Sequence, residues 1–318
     1  MIVVCGEALI DQFLARTDRA RADLLAVAGG SPFNVAIGIS RQGIKSAFHG
    51  GISKDPFGEM LAGCLQRDKV SLKLAHRSGR PTPLMIVATD PAGVPTYTFH
   101  GERAAHTDLP VMKLPAEVEA ITFGSFSIAA DPAGETYVKL AEAEAGNRVI
   151  SIDPNVRPMA ITDMALWEER FHRILKTATI VKASIEDIEL LYGHGASVAK
   201  VAENWRSEGP ALVIVTYGEG GAVGYGYEQD IELVNFGAAV FYNRRKIDGL
   251  KSGTPRQMPV PAKELQVLQR ELYSFGGPGK PDQAPGVDGA GQAIRGVRDI
   301  WEEISSYTKQ QARRRNRN

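Results

Sequence analysis

The residues best suited to chemistry begin with Gly29-Gly30-Ser31-Pro32-Phe33-Asn34. Two adjacent glycines let the backbone turn tightly and let a ligand approach without meeting a Cβ. Ser31 is expected to cap a helix, Pro32 suits its first turn, and Gly43 ends it. Asn34 then falls in the first turn, with its amide directed back toward the glycines. A polar amide, bare N–H groups and a helix N-terminus on one spot make a site for a polyhydroxylated or anionic small molecule. An ordinary glycine turn before a capped helix would use the same residues.

A second polar cluster is Asp153-Pro154-Asn155-Val156-Arg157-Pro158, on a loop leaving an expected strand and stiffened by two prolines. Asp153 and Asn155 offer hydrogen bonds, and Arg157 offers a planar fork suited to phosphate oxygens. A third is Thr216-Tyr217-Gly218-Glu219-Gly220-Gly221, where a strand ends in a hydroxyl and a glycine-rich turn able to cradle phosphates. Its spacing is not the GxGxxG fingerprint, because Val223 stands at the third glycine's place, and no Walker GxxxxGK[ST] run occurs. Glu7 and Asp11 fall just beyond the first expected strand, where open α/β sheets place ligands. A surface loop at Asp11 is the alternative.

The elements that must position these groups alternate strand with helix. Strands are expected at 2–5, 46–52, 120–123, 148–152, 179–182 and 211–216. Helices are expected from Pro56, capped by Asp55, and at 134–145, 162–177 with Thr162 as cap, 184–192 and 198–207. That rhythm means a parallel sheet covered on both faces. Residues 83–89 and 95–100 are β-rich runs joined by Asp90-Pro91-Ala92-Gly93, an antiparallel excursion able to serve as a lid or dimer contact. Arg103 follows it and could reach a substrate from there.

Composition removes several function classes. The 318-residue chain carries 37 basic and 37 acidic side chains, so no net field favours nucleic acid or a membrane surface. The two cysteines, Cys5 and Cys64, form no CxxC or Cys/His cluster, which favours reduced packing thiols and a cytoplasmic setting. The apolar start is too short for a signal peptide or a span.

Taken in order, six motifs resemble the ribokinase-like (PfkB) carbohydrate kinases, and within them the bacterial fructokinase branch. They are Gly6-Glu7-Ala8-Leu9-Ile10-Asp11, Gly29-Gly30-Ser31-Pro32-Phe33-Asn34, Gly51-Ile52-Ser53-Lys54-Asp55-Pro56, Asp153-Pro154-Asn155-Val156-Arg157-Pro158, Lys182-Ala183-Ser184-Ile185-Glu186-Asp187 and Val215-Thr216-Tyr217-Gly218. The resemblance implies a three-layer α/β/α domain over residues 1–234, with a mostly parallel sheet and a small β lid from parts of 12–28 and 83–108. It implies ATP-dependent phosphorylation of a primary hydroxyl of fructose, with Mg2+, and a homodimer through the lid. A 2-keto-3-deoxygluconate kinase shares much of the pattern and is the rival sugar reading. Carried over, Asp11, Gly29, Gly30 and Asn34 hold sugar hydroxyls, and Arg103 and Arg157 flank the sugar or the transferring phosphate. Ser184 belongs to the nucleotide side and Asp187 to the metal, while Thr216, Gly218 and Gly221 line the nucleotide.

The family's Asp-Thr-x-Gly-Ala-Gly-Asp run, whose last Asp is the base that takes the hydroxyl proton, is not recognisable. Asp248 stands at about the right distance but lacks the glycines before it, and Gly289-Ala290-Gly291 is followed by Gln292. The catalytic residue is therefore unassigned. Residues 235–318 read as an atypical region, rich in Gln, Arg, Pro and Gly, with helical patterns at 262–273 and 291–307 and a basic tail. One expectation is a changed reading frame near Val234, which the other frames of the coding DNA would reveal. The other is a divergent chain that binds sugar as a sensor or scaffold without turning it over.

Overall fold

The computed structural model describes residues 1–18, 20–89, 95–218, 221–226, 230–236 and 239–242. In chain order, β1 (Ile2–Cys5) is followed by the long hairpin β2 (Leu9–Asp18) and β3 (Arg21–Gly29), then α1 (Ser31–Arg41). Next come β4 (Ser46–His49), β5 (Gly51–Ser53), α2 (Pro56–Arg67) and β6 (His76–Ser78), and then the pair β7 (Leu84–Thr89) and β8 (Pro95–His100). The alternation resumes with β9 (Ala120–Gly124), α3 (Ala133–Glu144), β10 (Val149–Asp153) and α4 (Met164–Leu175). It continues through β11 (Ile180–Ser184), α5 (Ile185–Tyr192), α6 (Val198–Glu208) and β12 (Leu212–Thr216). The described chain closes with β13 (Ala222–Tyr225), β14 (Asp230–Phe236) and β15 (Ala239–Tyr242).

Among the described residues nine strands form the main sheet, in the order β15-β14-β13-β12-β11-β10-β9-β1-β4. The six from β12 to β4 are parallel, and the last three in sequence are antiparallel. Buried apolar residues alternate along β1: Val3 and Cys5 join one cluster, Val4 the other. That period of two means both faces of the sheet are covered there. On one face Tyr137 of α3, Trp167 and Phe171 of α4, and Trp205 of α6 pack on Ile121, Ile150, Val181 and Val213. The Trp167 and Phe171 rings stack with centroids 5.3 Å apart. On the other face Phe33 and Ala36 of α1 and Leu61 and Leu65 of α2 cover Val4 and Phe48, next to the strands that line the cleft described below.

The lid is a separate four-stranded sheet ordered β3-β2-β7-β8. The 83–89 and 95–100 runs are borne out as β7 and β8, while their Asp90-Pro91-Ala92-Gly93 turn lies outside the described residues. Asp11 is not in a loop: it sits inside β2, paired with Val27 and Met85. Three local expectations need correction. The 46–52 run is two strands, broken at Gly50, where a Cβ would stand 2.2 Å from the Gly6 carbonyl oxygen. The cap of α4 is Asp163, whose carboxylate accepts from the Leu166 N–H, and not Thr162. The cap of α1 is Gly30, with Ser31 already helical. By contrast, Asp55 caps α2 as the sequence indicates, accepting from the Gly58 N–H at 2.7 Å. Asp248, Gly289-Ala290-Gly291, Gln292, the 262–273 and 291–307 patterns and the basic tail all lie outside the described residues.

Candidate functional site

A cleft of about 970 Å³ opens between the lid and the C-terminal ends of β9 to β12. This is where open α/β sheets place ligands. The lid side supplies Leu9 and Asp11 from β2, Met85 and Tyr97, and the start of α1 supplies Gly30, Ser31, Asn34 and Val35. Opposite them stand Thr122, Ser151, Asp153, Lys182 and Thr216 on the main sheet, with the Asn155, Val156 and Arg157 loop beside them. The register explains the grouping. Ser151 pairs with Thr122, and Lys182 lies two residues beyond Ile180, the partner of Ser151. Polar residues therefore share the face that meets the cleft, while Ile150, Ile152, Val181 and Val215 point into the core.

The glycine pair builds the near wall. Gly29 ends β3 opposite Leu9, and a Cβ on it would lie 2.2 Å from Asp11 Oδ2. A side chain there would displace the carboxylate that faces the cleft. Gly30 has φ 105°, and a Cβ there would lie 2.8 Å from the Glu7 carbonyl oxygen. No side chain caps α1, so its first N–H groups are left to other partners. Asn34, whose N–H bonds Gly30 O at 3.0 Å, is exposed on the cleft wall. Asp11 is half-buried, and that burial raises its carboxyl above the usual range.

The far wall is a charged network. Lys182 Nζ donates to Asp153 Oδ2 at 3.0 Å, while the buried Asp153 Oδ1 has no hydrogen-bond partner. Burial pushes the Asp153 carboxyl up against the opposing effect of Lys182. Asp187 lies behind this wall, 2% exposed. Its Oδ2 accepts from the Ser184 N–H and hydroxyl at 2.9 and 2.8 Å, and its Oδ1 accepts from the Val156 N–H at 2.7 Å. With the Asp187 N–H returning to Ser184 Oγ, this is a capping box that also fixes the loop after β10. Arg157, half-exposed, stands on that loop with Nη1 3.9 Å from Asp187.

The structure thus brings Asp11, Gly30, Asn34, Arg157 and Thr216 to one cleft, with Gly29 directly behind Asp11. It does not bring Arg103 there: that residue is exposed with φ 53°, off the described wall. Ser184 and Asp187 sit behind the wall, occupied with each other. Gly218 and Gly221 form the turn after β12, held by Tyr217 N–H to Gly221 O and Gly221 N–H to Gly218 O at 2.8 and 3.2 Å. Sequence reasoning gave no role to Lys182 or Ser125, which line the cleft beside Glu7, a carboxylate the sequence had already placed near the ligand end of the sheet. For Lys182 a signal existed, a charged residue inside an otherwise apolar strand; for Ser125 there was none.

The family model described as pfkB family carbohydrate kinase matches residues 1–239. The chain is similar to a fructokinase of Rhizobium leguminosarum bv. trifolii, 36% identical over 236 residues, which span 73% of this chain and 72% of that protein. A fructokinase of Salmonella typhimurium is 32% identical over 232 residues, 69% of this chain and 72% of the relative. Among solved structures, fructokinase with bound ATP from Xylella fastidiosa superposes with a TM-score of 0.66 at 26% identity, covering 74% of this chain and 78% of that one.

Proposed function

We infer that this chain, which belongs to the pfkB family of carbohydrate kinases, phosphorylates a primary hydroxyl of fructose with ATP as donor. The observation that carries this reading is the two-sided cleft, with Asp11, Gly30 and Asn34 on one wall and Arg157 with Lys182 on the other. The Asp11 carboxylate can accept, and the Asn34 amide can accept and donate, hydrogen bonds with sugar hydroxyls. Arg157 and Lys182 supply positive charge where phosphoryl oxygens gather. Phosphoryl transfer asks for alignment and charge stabilisation more than for covalent chemistry from the protein. Thr216 and the Gly218 to Gly221 turn serve as the nucleotide side. Asp187 is a poor candidate for the role of a magnesium ligand, because it is 2% exposed and already accepts three hydrogen bonds from Val156 and Ser184 behind the wall. It fits that of a positioning carboxylate for the Arg157 loop.

Zero net charge supports a small-molecule enzyme rather than a nucleic-acid or membrane binder. Among the described residues no helix is long and apolar enough to cross a membrane. With both cysteines free, we place the enzyme in the cytoplasm. It pairs with a second copy through the lid, whose cleft-side face carries exposed Phe13, Leu25, Val27 and Tyr97.

An ADP-release assay on the full chain with a sugar panel tests the reaction. Fructose is expected to turn over best, and Asp11→Asn should raise its KM by about tenfold, the loss of one to two hydrogen bonds to a charged group. Preference for 2-keto-3-deoxygluconate would replace the substrate. Fructose binding by calorimetry with no ADP release would make the chain a sensor.

A further inference from the structure

Glu7 follows β1 where Gly6 turns the chain, and it is 1% exposed although it forms part of the cleft wall. The Ser127 hydroxyl donates to its Oε2 at 2.5 Å. The Ser125 hydroxyl and the Ser31 N–H face the same carboxylate. Ser31 is the first residue of α1, whose N-terminus has no side-chain cap, so an anion beneath it meets unpaired N–H groups and the positive end of the helix.

Ser125 is held in an unusual state. Its φ is 74° and ψ −168°, a region that only glycine enters freely. It is 2% exposed, and its Oγ makes no well-formed hydrogen bond. Strain of this kind persists only where the surroundings enforce it, and it clusters at functional sites. Three wall segments thus converge on one carboxylate: the turn after β1, the Gly30-Ser31 start of α1, and the Ser125 to Ser127 stretch after β9.

We propose that Glu7 is a positioning residue for sugar binding, whose anion clamps the Gly30-Ser31 turn and the Ser125 segment in the shape the sugar requires. This rests on the reading of the cleft as a sugar site. Burial pushes the Glu7 carboxyl up to about 7, against the Ser127 hydrogen bond that favours the anion, so protonation near neutral pH releases the clamp. The groups packed against it from β1, β4 and α3 do not compete for that titration. Tyr137 of α3 and Cys5 of β1 are held neutral by burial, and burial keeps His49 of β4 below its ordinary range. Asp11 and Asp153 share the cleft and are also raised by burial, so a variant must assign the proton.

The two consequences carry opposite signs. Sugar affinity falls as pH drops through about 7, because the clamp needs the anion. Fold stability moves the other way. The carboxyl is raised from its ordinary value of 4.5 to about 7 on folding, so its contribution is most favourable below about 4.5 and is lost as pH rises through about 7.

Calorimetric titration of the full chain with fructose from pH 6 to pH 8 tests this. The wild type should bind about tenfold more weakly at pH 6 than at pH 8, the ratio expected for one linked proton. Glu7→Gln should be flat across the range, weak throughout, and higher in Tm than the wild type at pH 8. Ser127→Ala should move the midpoint to higher pH, and this variant decides the matter if Glu7→Gln does not fold. A flat wild-type profile, or wild-type affinity and pH dependence in Glu7→Gln, overturns the proposal while leaving the sugar site standing. No fructose binding at any pH overturns the sugar site and the proposal together.

Discussion

Asp187 shows how one carboxylate can serve a site without touching its ligand. It closes α5 through Ser184 and holds the Val156 N–H, so the Arg157 loop takes its place from the start of a helix 31 residues further along the chain. Asp187→Asn keeps the shape but turns one acceptor into a donor that faces N–H groups. A loss of about 1–3 kcal/mol is expected, visible as a lower Tm, with KM for ATP rising more than KM for fructose. At this scale the sequence was legible where chemistry constrains the backbone. Gly29 and Gly30 could be read because a Cβ has no room there, Asn34 followed from the helix they begin, and Asp11 from its place beyond the first strand. Arg103 could not be read, since nothing local says which way an exposed arginine points. Ser125 stayed hidden, and Glu7 could be placed near the site but not given its burial or its partner, because these come from residues far along the chain, as in the Ser127–Glu7 pair, 120 residues apart.

Asp55 is the counterpart among the elements. Its carboxylate caps α2 through Gly58 and also accepts from the Thr82 N–H and hydroxyl at 2.7 and 2.6 Å. Thr82 lies just before β7, so the same side chain ties the main domain to the root of the lid. Burial raises this carboxyl, but the hydrogen bonds from Thr82 and Gly58 outweigh burial and hold it below its ordinary range. The stability it gives is therefore present above the unfolded-state pKa and is lost as pH falls through the depressed native value. Asp55→Ala should cost about 1–2 kcal/mol at neutral pH and flatten the acid limb of the stability curve, measured by urea melts at pH 3 to 7. The Asp-Pro pair made this cap readable in advance. The cap of α4 slipped by one residue, because Thr162 and Asp163 are both good caps and only the backbone geometry decides between them. Strands β2 and β3 were foreseen only through the family's lid, since their apolar residues do not alternate against a covering layer.

For the molecule as a whole, the strand–helix rhythm made the α/β class legible, and the core at β1 and β4 bears it out. What composition hid was the far edge. The pattern decays near Val234, yet β14 and β15 carry the sheet to Tyr242, as short antiparallel strands without the helices that make a parallel unit recognisable. The lid raises the question of assembly. Asp11 pairs with Val27 and Phe13 with Leu25, and β7 and β8 continue the same face through Val87 to Tyr97. Paired strand residues share a face, so the exposed apolar side chains continue the surface that holds Asp11. Leu25, 61% exposed, is the test position. Leu25→Lys should convert a dimer to a monomer in light scattering; a wild type that is already monomeric would remove the pairing.

The cleft draws its walls from two sheets that share no ladder, with Asp11 on one and Asp153 on the other. A sugar seated between them is therefore a strut as well as a reactant. It adds to the Asp55–Thr82 tie a second attachment through Asp11, near the same end of β2 but on the cleft side. Filling the cleft would also displace water from beside the reacting hydroxyl, so the substrate itself would limit loss of the donor to hydrolysis.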